Sequence, residues 1–314
     1  MLRWTDLDQV PAGFGPSIVT IGNFDGVHLG HAAVLRTMVT QARASGERAV
    51  AVTFDPHPAA VHRPGSAPVA ITGLADRLDL LEATGLDATL VLRYTLEFAR
   101  QTPEEFVRDC LVVPLGMSRI VVGRDVRFGL DNSGTLVTMR ELGERYGFEV
   151  EVIEDVGDGS GAVGRCSSTQ VRARLDAGDV AGAAALLGRD HLLRGTVVHG
   201  DERGRELGFP TANLGGEVVG FVPADGVYAG RLRRDAGRGE TLPAAVSIGT
   251  NPTFDGTERR IEAYVLDRTD LDLYGEDVVL ELVGRVRGQV RFDGVDALVA
   301  QMDDDVEKVR PILA

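Results

Sequence analysis

The stretch SIVTIGNFDGVHLGHAAVLRTMVTQARA, Ser17–Ala44, decides the fold of the first half of the chain. Ser17–Gly22 is a short apolar run and reads as a buried strand; a Gly-rich turn follows, then a helix over Leu29–Ala44. Leu35, Met38, Val39 and Ala42 recur at i, i+3, i+4 and i+7, one helical face. A strand, a glycine turn and a helix in that order mark where an open parallel sheet binds ligands, beyond the carboxyl ends of its strands. Gly22, Gly26 and Gly30 let backbone approach a ligand without a Cβ in the way. Free N–H groups and the positive end of the helix dipole favour an anion there. His28 and His31 are three apart and leave one side of the first turn. Two imidazole N–H donors aimed at one phosphate can stabilise charge growing on it. A plain turn capped by two histidines and a metal site are the other readings, the second weakened because no third His or Cys lies nearby.

The same alternation continues outward. Arg48–Phe54, Ala88–Leu92, Arg119–Gly123 and Phe148–Ile153 read as strands, and Thr72–Thr84, Pro103–Val113, Thr135–Tyr146 and Thr169–Ala177 as helices. Strands separated by helices of this length predict an α/β domain with a doubly wound parallel sheet. After about Leu187 the texture changes. Arg194–His199, Gly226–Leu232, Leu242–Ile248, Arg260–Asp267 and Val278–Val286 are strand-like and separated by Gly-rich turns. Ile261, Ala263 and Val265 point one way, Glu262 and Tyr264 the other. These features predict a small antiparallel β-barrel. A terminal helix, Val295–Val309, has Leu298, Met302, Val306 and Val309 on one face, and Asp303–Asp305 reads as its solvated side. Two domains are expected, 1–187 and 188–314.

Charge narrows the function. The chain has 314 residues, 33 Lys and Arg against 47 Asp and Glu, and a net charge of −14, shared evenly between the halves. Neither half is a basic nucleic-acid module. Lys308 is the one lysine. A Walker A loop needs a lysine inside G-x-x-x-x-G-K-[ST], so none is present. Arginine, helix N-termini and metal must handle any nucleotide phosphates. No apolar run approaches the ~20 residues of a membrane span, and the N-terminus has no apolar signal region. Two cysteines, Cys110 and Cys166, make no disulfide framework and fit a reducing cytoplasm.

Two further segments carry chemistry. In Ser167–Arg172 (SSTQVR), Ser168 or Thr169 can cap the following helix. The same hydroxyls, with Arg172 one turn along as a forked donor, can hold phosphate oxygens. In Gly195–Leu214 (GTVVHGDERGRELGFPTANL), Gly200 and Gly204 flank a charged turn followed by Arg205, and such a loop can fold its N–H groups around phosphates. Thr211 and Asn213 alternate, so in an extended stretch they share a side. Their hydroxyl and amide oxygens suit Mg²⁺, and a simple polar turn is the equal alternative. Glu262 is read as an exposed strand carboxylate or as a base.

These motifs together resemble a known family. GNFDGVHLGH, Gly22–His31, resembles the signature of the cytidylyltransferase-like nucleotidyltransferases. More narrowly it is similar to the adenylyltransferase half of bacterial bifunctional riboflavin kinase/FAD synthetases. Phe54–Pro58 (FDPHP), Gly123–Gly129 (GRDVRFG) and SSTQVR match further segments of that family. Val126 replaces a commoner aromatic, Val171 replaces Ile, and Thr135 stands where many members carry an acidic residue. In the second half GRELGFPTAN, Gly204–Asn213, resembles the long riboflavin kinase motif, followed by Ser247–Pro252, IEAYVLD with Glu262, Asp272–Gly275 and the terminal RFDGVDALVAQMDDDV.

The resemblance implies a riboflavin kinase-like barrel behind a nucleotidyltransferase domain, and two ATP-dependent reactions. Riboflavin becomes FMN in the second half, with Thr211 and Asn213 as Mg²⁺ ligands, Gly200, Gly204, Arg205 and Thr211 on ATP, and Glu262 as base. FMN becomes FAD plus pyrophosphate in the first, with His28 and His31 catalytic. Gly22, Phe24, Asp25, Gly30, Ser168, Thr169 and Arg172 would hold that ATP, and Pro56, Pro58 and Phe128 the flavin. The implied partners are ATP, riboflavin and FMN, with no nucleic acid or membrane and a homo-oligomer left open. An enzyme with one working half and a flavin-sensing regulator are the rival readings.

Overall fold

The computed structural model describes residues 1–153, 166–200, 207–250 and 259–314. It packs as two units. One comprises Met1–Val69 and Gly73–Cys166, the other Ala70–Thr72 and Ser167–Ala314.

The first unit holds six parallel strands: β1 (Leu2–Trp4), β2 (Ser17–Ile21), β3 (Arg48–Asp55), β4 (Ala88–Arg93), β5 (Met117–Gly123) and β6 (Glu149–Ile153). Their order is β1-β4-β3-β2-β5-β6. The chain first winds one way from β2 and then returns to pair β5 on its other side. That reversal opens a crevice at the carboxyl ends of β2 and β5. Side chains alternate into two separate cores. Val19, Val50, Val52, Leu90, Ile120 and Val122 face one way, and Ile18, Ala49, Ala51, Val91 and Val121 face the other.

Helix α1 (Leu29–Ser45) covers the second of these faces with Leu35, Met38, Val39 and Ala42, as the periodicity predicts. Each large apolar side chain so buried contributes about 1.5–3 kcal/mol. The short α2 (Pro58–His62) follows β3, and α3 (Leu74–Glu82) adds Leu78 and Leu81 to the same core. The opposite face is covered by α4 (Pro103–Phe106), a π-helical turn over Val107–Val112, α5 (Val113–Leu115) and α6 (Leu136–Tyr146). The expected single helix over Pro103–Val113 is therefore interrupted. Pro114 has no N–H to give the preceding turn, and Val113 N–H reaches back five residues to Arg108 O.

The second unit opens with α7 (Ser168–Asp176) and α8 (Val180–Leu187). The antiparallel strands are β7 (His191–Val198), β8 (Thr211–Val219), β9 (Gly226–Arg233), β10 (Thr241–Gly249), β11 (Arg260–Val265) and β12 (Asp277–Arg287). They close into a barrel in the order β10-β11-β8-β7-β12-β9. Five of these strands are legible from the sequence. The sixth, β8, is hidden by Pro210 before it and the Gly215-Gly216 pair inside it, both poor strand signals.

Helix α9 (Val295–Leu313) closes the unit, with Val309 packed on Ala229 and Leu266. The expectation that Asp303–Asp305 is solvated needs correction at its last residue. Asp303 and Asp304 are exposed, and Asp304 pairs with Lys308. Asp305 is 4% exposed and accepts a two-pronged bond from Arg287, with Nε at 2.8 Å and Nη2 at 2.7 Å. Gln301 donates to it as well. The charge is buried because a forked cation at the end of β12 meets it. Asp305→Ala would strand Arg287 and cost about 3 kcal/mol. Urea unfolding should show that loss, with amide exchange rising along α9 before it rises in β7 and β8.

Candidate active sites

In the first unit the crevice holds a cavity of about 360 Å³. Gly22 and Asn23 from the turn after β2, Phe54 from β3, and Gly123, Asp125 and Phe128 after β5 line it. Phe54, Phe98, Phe106 and Phe128 make an aromatic wall, with successive ring centroids 6.1–6.2 Å apart. Tyr94 joins it, edge-on to Phe54 and bonded through its hydroxyl to His62 Nε2 at 2.9 Å. Such a wall suits a flat heteroaromatic ring. Of the three flavin candidates, Pro58 and Phe128 line the cavity, whereas Pro56 is exposed and does not. The sequence reading missed Tyr94, Phe98 and Phe106, which come together only through the fold. Val126 also lines the cavity. Thr135 caps α6 by accepting from Thr138 N–H, so its hydroxyl has a structural task.

The turn from Gly22 to His28 is tightly held. Gly22 N–H bonds Val52 O at 3.0 Å. Phe24 and Val27 adopt left-handed backbone, φ 48° and 37°, at a cost of about 1–3 kcal/mol each. His28 is the N-cap of α1, and its Nδ1 accepts from His31 N–H at 3.3 Å. That fixes Nδ1 as an acceptor and leaves the ring proton on Nε2. The rings of His28 and His31 stack 3.7 Å apart, and Phe24 lies edge-on to His31 at 5.3 Å. The capping reading is therefore satisfied in part, and the two rings are also brought together. His28 and Asp25 are buried at 5% and 4% exposure, and neither lines the cavity. Gly30 is closely approached: a Cβ there would lie 3.2 Å from the His28 ring and 3.5 Å from Cys166 O. The metal reading of the histidines gains nothing, because no group of three His, Cys, Asp or Glu side chains could hold an ion among the described residues.

The SSTQVR segment lies in the second packing unit. Ser167, rather than Ser168 or Thr169, caps α7, accepting from Gln170 N–H at 3.3 Å. Thr169 is exposed, and Ser168 and Arg172 are half-buried.

The barrel sets out the second constellation by register. Asn213 on β8 pairs with Glu262 on β11, and Thr211 pairs with Tyr264. Ser247 on β10 pairs with Glu262 from the other side. Directly paired residues share a face, so Ser247, Glu262 and Asn213 form one row. Ala212, Leu214, Ile261 and Ala263 fill the buried face behind it. Asn213 Oδ1 is buried with no hydrogen-bond partner among the described residues. An orphaned carbonyl oxygen is costly unless something accepts its lone pairs, and a hard cation is one such partner. Gly200 presses on this amide, since a Cβ there would lie 2.5 Å from Asn213 Nδ2. Both line a cavity of about 460 Å³ with His199, Arg259 and Arg260. Gly204 and Arg205 lie outside the described residues, as does part of Ser247–Pro252.

Comparison with known proteins follows the same division. Residues 12–170 match the FAD synthetase family model, and residues 187–313 the riboflavin kinase model. The chain is 37% identical over 291 residues to the bifunctional riboflavin kinase/FMN adenylyltransferase of Escherichia coli K12, covering 92% of this chain and 90% of that protein. The protein of the same name from Listeria monocytogenes is 34% identical, with 99% and 95% covered. A crystal structure described as a macrolide-efflux protein from Streptococcus pneumoniae superposes with a TM-score of 0.84, at 32% identity over 98% of each chain.

Burial, and secondarily the neighbouring His28, pushes the His31 pKa down to about 3. Between that value and the ordinary ~6.5 the unfolded chain binds a proton that the folded chain does not. Stability from this group is thus full above pH ~6.5 and fades as pH falls towards 3. Imidazole NMR shifts of His31 should stay flat from pH 8 to pH 5.

Proposed function

The chain belongs to the bifunctional riboflavin kinase/FMN adenylyltransferase family, and from that premise we propose how its residues divide the two reactions. FMN adenylyltransferase activity resides in the N-terminal region and riboflavin kinase activity in the C-terminal region. The functional halves are assigned to 1–187 and 188–314. The substrates are ATP, riboflavin and FMN, and the enzyme works in the cytoplasm, in keeping with two buried cysteines that are not joined in a disulfide. No helix among the described residues is long and apolar enough to cross a membrane.

The observation that carries the kinase reading is the row across β10, β11 and β8. Glu262 stands beside Asn213 on one half-buried face. Glu262 orients the ribityl 5′-hydroxyl and takes its proton as the γ-phosphate is attacked, an effect worth roughly 10²–10⁴ in rate. Thr211 and the orphaned Asn213 Oδ1 would hold Mg²⁺. When bound, that ion neutralises phosphate charge, the main requirement of phosphoryl transfer. Gly200, Gly204, Arg205 and Thr211 hold the nucleotide. The close fit of Gly200 against the Asn213 amide keeps that oxygen in place.

In the adenylyltransferase half, the aromatic wall takes the isoalloxazine ring, with Pro58 and Phe128 lining the same cavity. An FMN phosphate oxygen attacks the α-phosphate of ATP. His28, protonated on Nε2, and neutral His31 donate to the charge that develops there. Gly22, Phe24, Asp25 and Gly30 shape the nucleotide turn. The family resemblance adds Ser168, Thr169 and Arg172 as holders of the leaving pyrophosphate. No covalent intermediate is needed, because the FMN phosphate is itself the nucleophile.

Incubation with riboflavin, ATP and Mg²⁺, followed by chromatographic separation of flavins, tests both halves in one tube. Glu262→Gln should lower FMN formation by at least about 10² while added FMN is still converted to FAD. Near-normal phosphorylation would reject the base. The double variant His28→Ala, His31→Ala should let FMN accumulate and abolish FAD. Loss of both products, or FAD at the usual rate, would reject the histidine assignment.

A further inference from the structure

The buried cations of the first unit include one that the proposed reaction does not use. Arg77 on α3 is 6% exposed. Its Nη1 donates to Asn23 O at 3.0 Å and its Nη2 to Phe54 O at 3.1 Å. The Asp55 carboxylate lies 3.6 Å from Nη2. We propose that Arg77 is a positioning residue for adenylyl transfer, a clamp that fixes the turn after β2 against the end of β3.

Both acceptors are main-chain oxygens of residues that line the 360 Å³ cavity, and Arg77 itself does not line it. Asn23 comes from the nucleotide turn, and Phe54 opens the FDPHP segment and stands in the aromatic wall. The guanidinium thus sets the distance between the phosphate-handling part of the site and its ring-binding part. Asn23 O also accepts from Thr53 Oγ1 at 3.2 Å. Asn23 directly precedes Phe24, whose left-handed backbone persists only where surroundings over-determine it.

Arginine fits this task for two reasons. Its planar fork presents donors in fixed directions, whereas a lysine ammonium is a point charge on a flexible stem. Its charge also balances two carboxylates of the loops it joins, since Asp55 and Asp25 both act on it electrostatically. Burial opposes the cation and outweighs the pull of the two carboxylates, and the two carbonyl bonds recover part of that cost. A misplacement of about 1 Å between reacting groups costs about 10²-fold in rate, so holding these two loops in register affects turnover without contact with substrate.

The inference rests on the adenylyltransferase reading of this site, and its test separates the two. Arg77→Met and Arg77→Lys are made in the full chain and studied by hydrogen–deuterium exchange and by product assays. In Arg77→Met, exchange should rise at least about tenfold in residues 22–28 and 53–57 together, while β4 and β5 stay as in the parent. The kcat/KM for FAD formation should fall about a hundredfold, mostly in kcat, with riboflavin phosphorylation within about twofold as the internal control of folding. Arg77→Lys should recover less than half of the lost exchange protection. Unchanged exchange in the two loops overturns the clamp. Full recovery by Lys overturns it too, because charge alone would then suffice, and so does loosening of the whole sheet. Should the parent chain make no FAD from FMN and ATP, the adenylyltransferase reading fails, and the exchange result still decides the clamp.

Discussion

Burial of strand faces decides where this chain can place its chemistry. In the first unit β2, β3 and β4 are covered on both sides, and nearly all their side chains are occupied with packing. Polar work is pushed to the carboxyl ends of the strands, where Gly22, Asn23, Phe54 and Gly123 meet. In the barrel, β8 over Thr211–Leu214 and β11 alternate between half-buried and buried positions. Half-buried polar side chains can therefore stand within a strand, and Glu262 and Asn213 do so. One rule about apolar surface thus produces two kinds of site in one polypeptide.

That rule also explains how much the sequence discloses. The alternation of strands with helices up to Ile153 is visible because each element is long or strongly patterned, and the face Leu35, Met38, Val39 and Ala42 is buried as its spacing predicts. Glu262 is legible for the same reason, lying out of phase with Ile261, Ala263 and Val265. The three-residue edge strand β1 is too short to show a period. Strand β8 is masked by glycine and proline. Asp305 reads as solvent-facing because nothing nearby in sequence announces its partner, Arg287, which stands 18 positions earlier across a turn. Arg77 is obscure in the same way, since what matters about it is two carbonyl oxygens that no side-chain pattern records.

The two candidate sites offer different chemistry. At the first, burial pushes the His31 pKa down to about 3, so a ring in this turn stays uncharged near neutral pH. Hydrogen bonds from uncharged groups still count strongly where water is excluded. At the second, Glu262 is paired in register with Asn213, whose Oδ1 has no hydrogen-bond partner among the described residues, and a carboxylate so placed repels phosphate unless a cation intervenes. Acidic composition overall is therefore compatible with nucleotide chemistry, because neither arrangement depends on a basic patch.

The scarcity of lysine has a practical side on α9. Lys308, the one lysine of the sequence, is more than half exposed and paired with Asp304 one turn earlier. Reagents that acylate lysine side chains thus have one such side chain to meet. A dye, a biotin handle or a surface tether coupled this way would sit at a defined spot on the closing helix of the barrel unit.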